Sequence, residues 1–223
     1  MQAPQLIIFD FDGTLADSFS WLTAVINQVA DRHGFKRVGQ SEVEVLRQYD
    51  HRQLIRHLAV PSWRVPWIAS DIRRRMRADI AQIERFDGVD ALFDQLSKDG
   101  ISIAVVTSNS ESNVRQVLGP DNAARVRHYG CGASLFGKAK KFRQVVRRSG
   151  VPRERVLCVG DEVRDIQAAR TEGLSAGAVG WGFANPELLM AHSPDAFFPT
   201  LDALRQHLAR AQGPSHRIAK PAG

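Results

Sequence analysis

The chain holds 223 residues, 43% of them hydrophobic, with 30 Lys and Arg against 24 Asp and Glu for a formal charge of +6. Such a chain can bury a core without disulfides or a structural metal, which excludes intrinsic disorder, a collagen-like repeat and a disulfide scaffold. No apolar run approaches the roughly 18 residues of a spanning helix, and Met1-Gln2-Ala3-Pro4 carries no basic segment leading into an apolar stretch; the expectation is a soluble, cytoplasmic protein with no membrane partner.

In chain order, Leu6-Ile7-Ile8-Phe9 reads as a buried strand ending in Asp10. Residues 17–85 then show helical spacing only, as in Leu22, Val25, Ile26 and Val29, or the long seam Ile68, Ile72, Met76, Ile80 and Ile83. Pro61, Trp63, Pro66 and Trp67 break this region, with the two tryptophans expected in its packing rather than in a cleft. Val89, Leu92, Phe93 and Leu96 mark a helix before a second strand, Ile101 to Val106, which ends at Thr107. A helix around Phe142, Val145 and Val146 precedes a third strand, Val156 to Val159, ending Gly160-Asp161. Ile166 and Ala169 belong to a further helix, and Ala176 to Val179 is a fourth strand before Gly180-Trp181-Gly182. Continuous apolar strands alternating with helices predict an α/β protein whose parallel, doubly wound sheet is covered on both faces. The boundaries read as a core of 1–16 and 86–211, a helical insert of 17–85, and a flexible tail of 212–223.

Ligands of such a sheet bind beyond the carboxyl ends of its strands. Those ends deliver Asp10-Phe11-Asp12-Gly13-Thr14, Thr107-Ser108-Asn109 and Gly160-Asp161-Glu162-Val163-Arg164-Asp165. One Asp after a strand is ordinary turn chemistry. Two at i and i+2, joined by a third strand's Gly-Asp-x-x-x-Asp, are not. Asp10, Asp12, Asp161 and Asp165 bring four negative charges together, a costly arrangement unless cations neutralise them. Hard oxygen ligands of this kind point to Mg²⁺ and at least one lysine.

These four segments, with a lysine from Lys138-Ala139-Lys140-Lys141, are similar in order and spacing to the motifs of the haloacid dehalogenase superfamily. Asp17-Ser18 and the all-helical insert resemble its phosphoglycolate-phosphatase-like hydrolases, whose Rossmann-like core carries a helical cap. The resemblance implies a Mg²⁺-dependent phosphomonoesterase acting on a small phosphorylated metabolite through an aspartyl-phosphate. It implies Asp10 as nucleophile and metal ligand, and Asp12 as general acid and base whose carbonyl also holds the metal. Thr107, with Ser108 and Asn109, would bind the phosphoryl oxygens; Asp161 would ligate the metal, and Asp165 would orient the lysine or a metal-bound water. Lys138 fits the lysine's place best, with Lys140 and Lys141 as solvated alternatives. Asp12 argues against halide displacement, and Lys36 is the only lysine in the insert, against the phosphonatase pattern. Leu22 stands where mutase relatives carry a histidine, so water is the expected acceptor. The alternatives are a phosphate-binding or regulatory protein without turnover, or a phosphatase of nucleotides or proteins.

Other features read more plainly. Arg73, Arg74, Arg75 and Arg77 fall off the apolar seam and suit a solvated face or an anion contact. No nucleic-acid-binding motif accompanies them, so no nucleic-acid partner is expected. His51 and His57 read as surface residues, Cys158 as a buried thiol, and Trp181 as either a pocket wall or a packed turn. Monomer and homodimer both remain open.

Overall fold

The structure, a computed structural model, describes residues 2–132 and 137–212. The expected tail lies outside them, apart from its first residue, Gln212. Six parallel strands form one sheet: β1 (Leu6–Phe9), β4 (Ser102–Val105), β5 (Val126–Tyr129), β6 (Val156–Gly160), β7 (Ser175–Val179) and β8 (Ala196–Phe198), in the order β5-β4-β1-β6-β7-β8. This is the α/β architecture the apolar runs predict.

Burial on both faces explains β1's sequence. Ile7 and Phe9 join one apolar cluster, with Leu92, Phe93 and Leu96 of α5 (Val89–Lys98) and Leu204 and Leu208 of α10 (Leu201–Gln212). Leu6 and Ile8 join another, with Phe142 and Val145 of α7 (Lys138–Ser149) and Ile166 and Ala169 of α8 (Val163–Thr171). Truncating a side chain such as Phe9 to alanine in this core costs about 3–5 kcal/mol. The edge strands escaped the sequence reading for the opposite reason. In β5, Arg127 is exposed and only Val126 is fully buried, while β8 has three residues with two half-buried.

Between β1 and β4 the chain forms α1 (Phe19–His33), α2 (Val43–Leu46), α3 (His51–His57) and α4 (Val65–Ala78). Contrary to the strand-free reading, two-residue strands β2 (Ala16–Asp17) and β3 (Glu84–Arg85) bracket these helices and pair antiparallel. A pairing this short has no periodicity to read. The apolar seam also runs past its helix: α4 stops at Ala78, Asp79 accepts a hydrogen bond from Trp21 Nε1 at 3.0 Å, and Ile80–Gln82 is a separate 3₁₀ turn. α1 and α4 are joined around Asp71. Burial alone would raise its pKa, but Arg74, His33, Arg32 and Arg75 outweigh that and hold it at about 2. The tryptophans depart from expectation. Trp63 and Trp67 are 64% and 61% exposed, stacked edge to face on the outside. Among the described residues no helix is long and apolar enough to cross a membrane.

In the sheet order, β4 and β6 flank β1 on opposite sides. The chain therefore reverses its winding at β1, and the crevice at the carboxyl ends of these three strands is where such sheets take ligands.

Candidate active site

Every sequence-predicted site residue lies at that crevice. Asp10 follows β1, its N–H still bonding to Val159 O of β6 at 2.8 Å. The chain then folds back at once, with Leu15 N and Ala16 N both donating to Phe11 O at 2.9 Å. Gly13 permits this turn, with φ at +76° and no room for a side chain against the Asp161 carboxylate. Gly182 backs Asp161 from the other side, where a Cβ would collide with the aspartate. Asp161 is held between them: Thr14 Oγ1 donates to its Oδ1 at 2.8 Å and Phe183 N to its Oδ2 at 2.7 Å. Trp181 locks the same turn, its Nε1 donating to Thr14 O at 3.1 Å.

Of the three lysines opening α7, helix geometry turns only Lys138 inward. It is 4% exposed, whereas Lys140 is exposed and Lys141 half-buried. Lys138 Nζ lies 2.6 Å from Asp10 Oδ2 and also contacts Asp165 Oδ1. Burial works against its charge, but Asp10 and Asp165 more than offset this and raise its pKa. The other oxygen of Asp165 accepts from Glu162 N at 3.0 Å, closing the first turn of α8. Residues 133–136 lie outside the described residues, so the chain leading into Lys138 is described only from Gly137.

The carboxylates occupy distinct environments. Asp12 accepts from Ser18 Oγ at 3.0 Å and from Asn109 Nδ2 at 3.1 Å. Burial and then the charge of Asp10 raise its pKa to about 6, although both hydrogen bonds favour the ionised form. Asp161 is raised well above the ordinary range, by burial first and then by Glu162, Asp10 and Asp165. Asp165 is raised by burial, with Lys138 acting against it. Oxygens of Asp10, Asp161 and Asp165 gather within 4.8 Å of one another. Asp161 is the buried carboxylate whose ionised form most needs a cation; this hard, oxygen-only donor set fits a Mg²⁺ ion.

On the β4 side, Thr107 is buried and its Oγ1 accepts from Asn109 N at 3.0 Å. Ser108 is half-buried and its carbonyl accepts from Arg73 Nη1 at 3.2 Å, so one arginine of the basic run reaches the crevice. Arg74 and Arg75 turn instead to Asp71. The Asn109 amide is directed at Asp12 and at Met76 Sδ of α4, 2.7 Å away.

Three residues were missed. Arg164, quoted within its motif but given no role, has a side chain only 12% exposed. Its Nη2 lies 2.9 Å from Glu162 Oε1 and 4.0 Å from Asp10 Oδ2. A basic residue inside so acidic a motif was the available signal. His51 is half-buried rather than superficial; burial, followed by the charge of Arg164, lowers its pKa. Arg47, just after α2, donates to Phe183 O at 3.0 Å and Gly182 O at 3.1 Å, bridging the helical segment to the loop that backs Asp161. Nothing in the sequence marks that contact.

Comparison with known proteins adds three findings. The family model described as haloacid dehalogenase-like hydrolase matches residues 7–179. A phosphoglycolate phosphatase of Synechococcus elongatus is 32% identical over 91% of this chain and 96% of its own length, and the tyrosine-protein kinase PtkA of Mycobacterium tuberculosis is 27% identical over 93% of this chain and 73% of its own. Among solved structures, a haloacid dehalogenase-like family hydrolase of Streptococcus pneumoniae superposes with a TM-score of 0.75 at 19% identity, covering 94% of this chain and 99% of that one.

Proposed function

From the premise that the chain belongs to the haloacid dehalogenase-like hydrolases and is a phosphatase, we propose that it hydrolyses a small phosphomonoester of the phosphoglycolate kind through an aspartyl-phosphate on Asp10. The contrast between the two carboxylates of one turn carries this reading. Asp10 faces the cation of Lys138, whereas Asp12 has neutral donors and a pKa near 6. Environments that differ in this way suit a nucleophile paired with a lysine beside a carboxyl that exchanges its proton close to neutrality.

In the first step an Asp10 oxygen attacks phosphorus, the bond from phosphorus to the leaving oxygen breaks, and Asp12 transfers its proton to that oxygen. In the second, Asp12 takes a proton from water as the water oxygen attacks the same phosphorus. Phosphate then leaves and the Asp10 carboxylate is restored. Lys138 holds Asp10 in place and, with Thr107, Ser108 and Asn109, faces the phosphoryl oxygens. Mg²⁺, held by Asp10, Asp161 and the Asp12 carbonyl, would neutralise charge on the phosphoryl group. Asp165 keeps Lys138 aimed.

Water is the favoured acceptor because it is the smallest and the nucleophile is buried, with Asp10 2% and Lys138 4% exposed. Residues 17–85 act as a cap over this crevice in the same reading. Phosphate release from a panel of phosphoglycolate, nucleotides and sugar phosphates tests it, with and without Mg²⁺. Release that requires Mg²⁺, favours the smallest esters and is lost in Asp10→Asn is expected. Undiminished release by Asp10→Asn, or none from any ester, would overturn the proposal.

A further inference from the structure

We infer that Asn113 is a positioning residue for this reaction: through the side-chain amide of Asn109 it fixes the aim of the Asp12 carboxyl at the leaving oxygen. The inference rests on the phosphatase reading, in which Asp12 protonates that oxygen, and adds a residue that lies outside the catalytic turns.

Geometry comes first. The helix α6 (Glu111–Arg125) starts soon after Thr107-Ser108-Asn109, with Ser110 Oγ accepting from Asn113 N at 3.3 Å. That first turn brings the Asn113 side chain, 1% exposed, against Asn109. Asn113 Nδ2 donates to Asn109 Oδ1 at 3.0 Å and to the carbonyl of Arg73 in α4 at 3.1 Å. Asn109 Nδ2 in turn stands 3.1 and 3.3 Å from the two oxygens of Asp12. A relay of two amides therefore runs from a helix of the insert to the carboxyl beside the nucleophile.

Polarity makes the relay directional. Ser110 N, which can only donate, bonds to Asn109 Oδ1 at 2.8 Å, and Arg73 O at the other end can only accept. Turning either amide over would set hydrogen against hydrogen or oxygen against oxygen. The hydrogens of Asn109 are thus aimed at Asp12 from both ends. The arrangement is not free of strain on stability: Asn113 Oδ1 is buried with no partner among the described residues, and an unpaired buried oxygen is destabilising. A leucine of similar size would avoid that, so what asparagine adds at this place is its pair of donors. Without them Asn109 keeps only Ser110 N on its oxygen, and the firm hold on Asp12 is Ser18 Oγ on Oδ1. The carboxyl can then swing about that bond, and a small misplacement of a proton donor is costly to rate.

Two small substrates separate this role from a structural one. Phosphoglycolate releases an alkoxide oxygen that needs a proton, whereas acetyl phosphate releases acetate, which does not. The best alkyl ester of the panel takes the place of phosphoglycolate if it is another. Values of kcat/KM, which report the steps up to the aspartyl-phosphate, are measured with Mg²⁺ for the full chain, Asn113→Leu, Asn109→Ala and the double variant. Asn113→Leu should lose at least about tenfold on the alkyl ester and less than about threefold on acetyl phosphate. In the Asn109→Ala background the same change should cost less than about threefold on either. Equal losses on the two substrates, a full loss repeated in the Asn109→Ala background, or no loss would each overturn the inference. Asn113→Asp carries the test if Asn113→Leu does not fold: it has the shape of asparagine, suits a helix N-terminus, and presents oxygen to Asn109 where nitrogen stood. A second readout needs no turnover. The side-chain amide protons of Asn109, identified in ¹H–¹⁵N spectra by their disappearance in Asn109→Ala, should be protected from exchange in wild type and lose that protection in Asn113→Leu. If they respond in a protein that hydrolyses neither substrate, the phosphatase reading fails and the relay stands. Hydrolysis with unresponsive protons gives the reverse.

Discussion

Replacing Asp12 by asparagine should make the metal-free protein more stable at neutral pH, and the structure sets the size of the gain. Unfolded, this carboxyl ionises near 3.8; folded, burial and the charge of Asp10 move it to about 6. The folded state thus binds the proton more tightly than the unfolded state. Below pH 3.8 both states are protonated and the group is neutral in the balance. Between pH 4 and 6 a penalty grows, and above pH 6 it is complete. A shift of about two units at about 1.4 kcal/mol each puts that penalty at no more than about 3 kcal/mol. Asp12→Asn removes it and keeps an oxygen to accept from Ser18 and Asn109. For a chain of this length, about 3 kcal/mol corresponds to about 6–12 °C in Tm. Thermal melts of both proteins in EDTA, from pH 4 to 8, should show curves that meet at the acid end and separate towards pH 7. A variant no more stable at pH 7.5, or an offset independent of pH, would refute the reasoning.

Three more outcomes follow from the site. Mg²⁺ should raise the Tm of the wild-type protein, by about 2.7 kcal/mol of linked stability at a hundredfold excess over Kd; Asp161→Asn should melt higher without metal and show no such shift in a Mg²⁺ titration. Gly182→Ala places a methyl against Asp161 and should cut phosphate release by at least about 100-fold while circular dichroism stays native. Arg47→Ala removes two hydrogen bonds to the Asp161-backing loop; a stability loss of about 1–3 kcal/mol in urea melts and a raised KM are the expected pair.

How much of this was legible depends on how each residue is constrained. Strands β1, β4, β6 and β7 announce themselves because burial on both faces forces continuous apolar runs. β5 and β8 lie at the sheet's edges, where most residues are only partly buried and the pattern dissolves. Chain order brings Asp10, Asp12, Thr107 and Asp161 to one crevice because all follow parallel strands. Beyond the strand ends the reading weakens. Only the phase of α7 decides which of Lys138, Lys140 and Lys141 turns inward. Side-chain direction is equally silent: nothing in Thr107-Ser108-Asn109 says that the Asn109 amide reaches Asp12. Contacts between distant segments, such as Arg47 with Gly182 and Phe183, arise only when the helices settle on the core.

The ribbon of β2 and β3 bears on how such chains diverge. Ala16 pairs with Arg85 and Asp17 with Glu84, and Phe86 N bonds to Leu15 O at 3.1 Å. Sixty-odd intervening residues thus leave and re-enter the main body through a doorway one peptide ladder wide, a few residues from Asp12. Since the two jambs are fastened to each other, the loop between them closes without help from its contents, and its length adds little entropy cost. Helices could be lengthened, shortened or exchanged there while the turn that aims Asp10 and Asp12 keeps its shape. Selectivity can then drift in one stretch of the gene while the chemistry stays fixed in another.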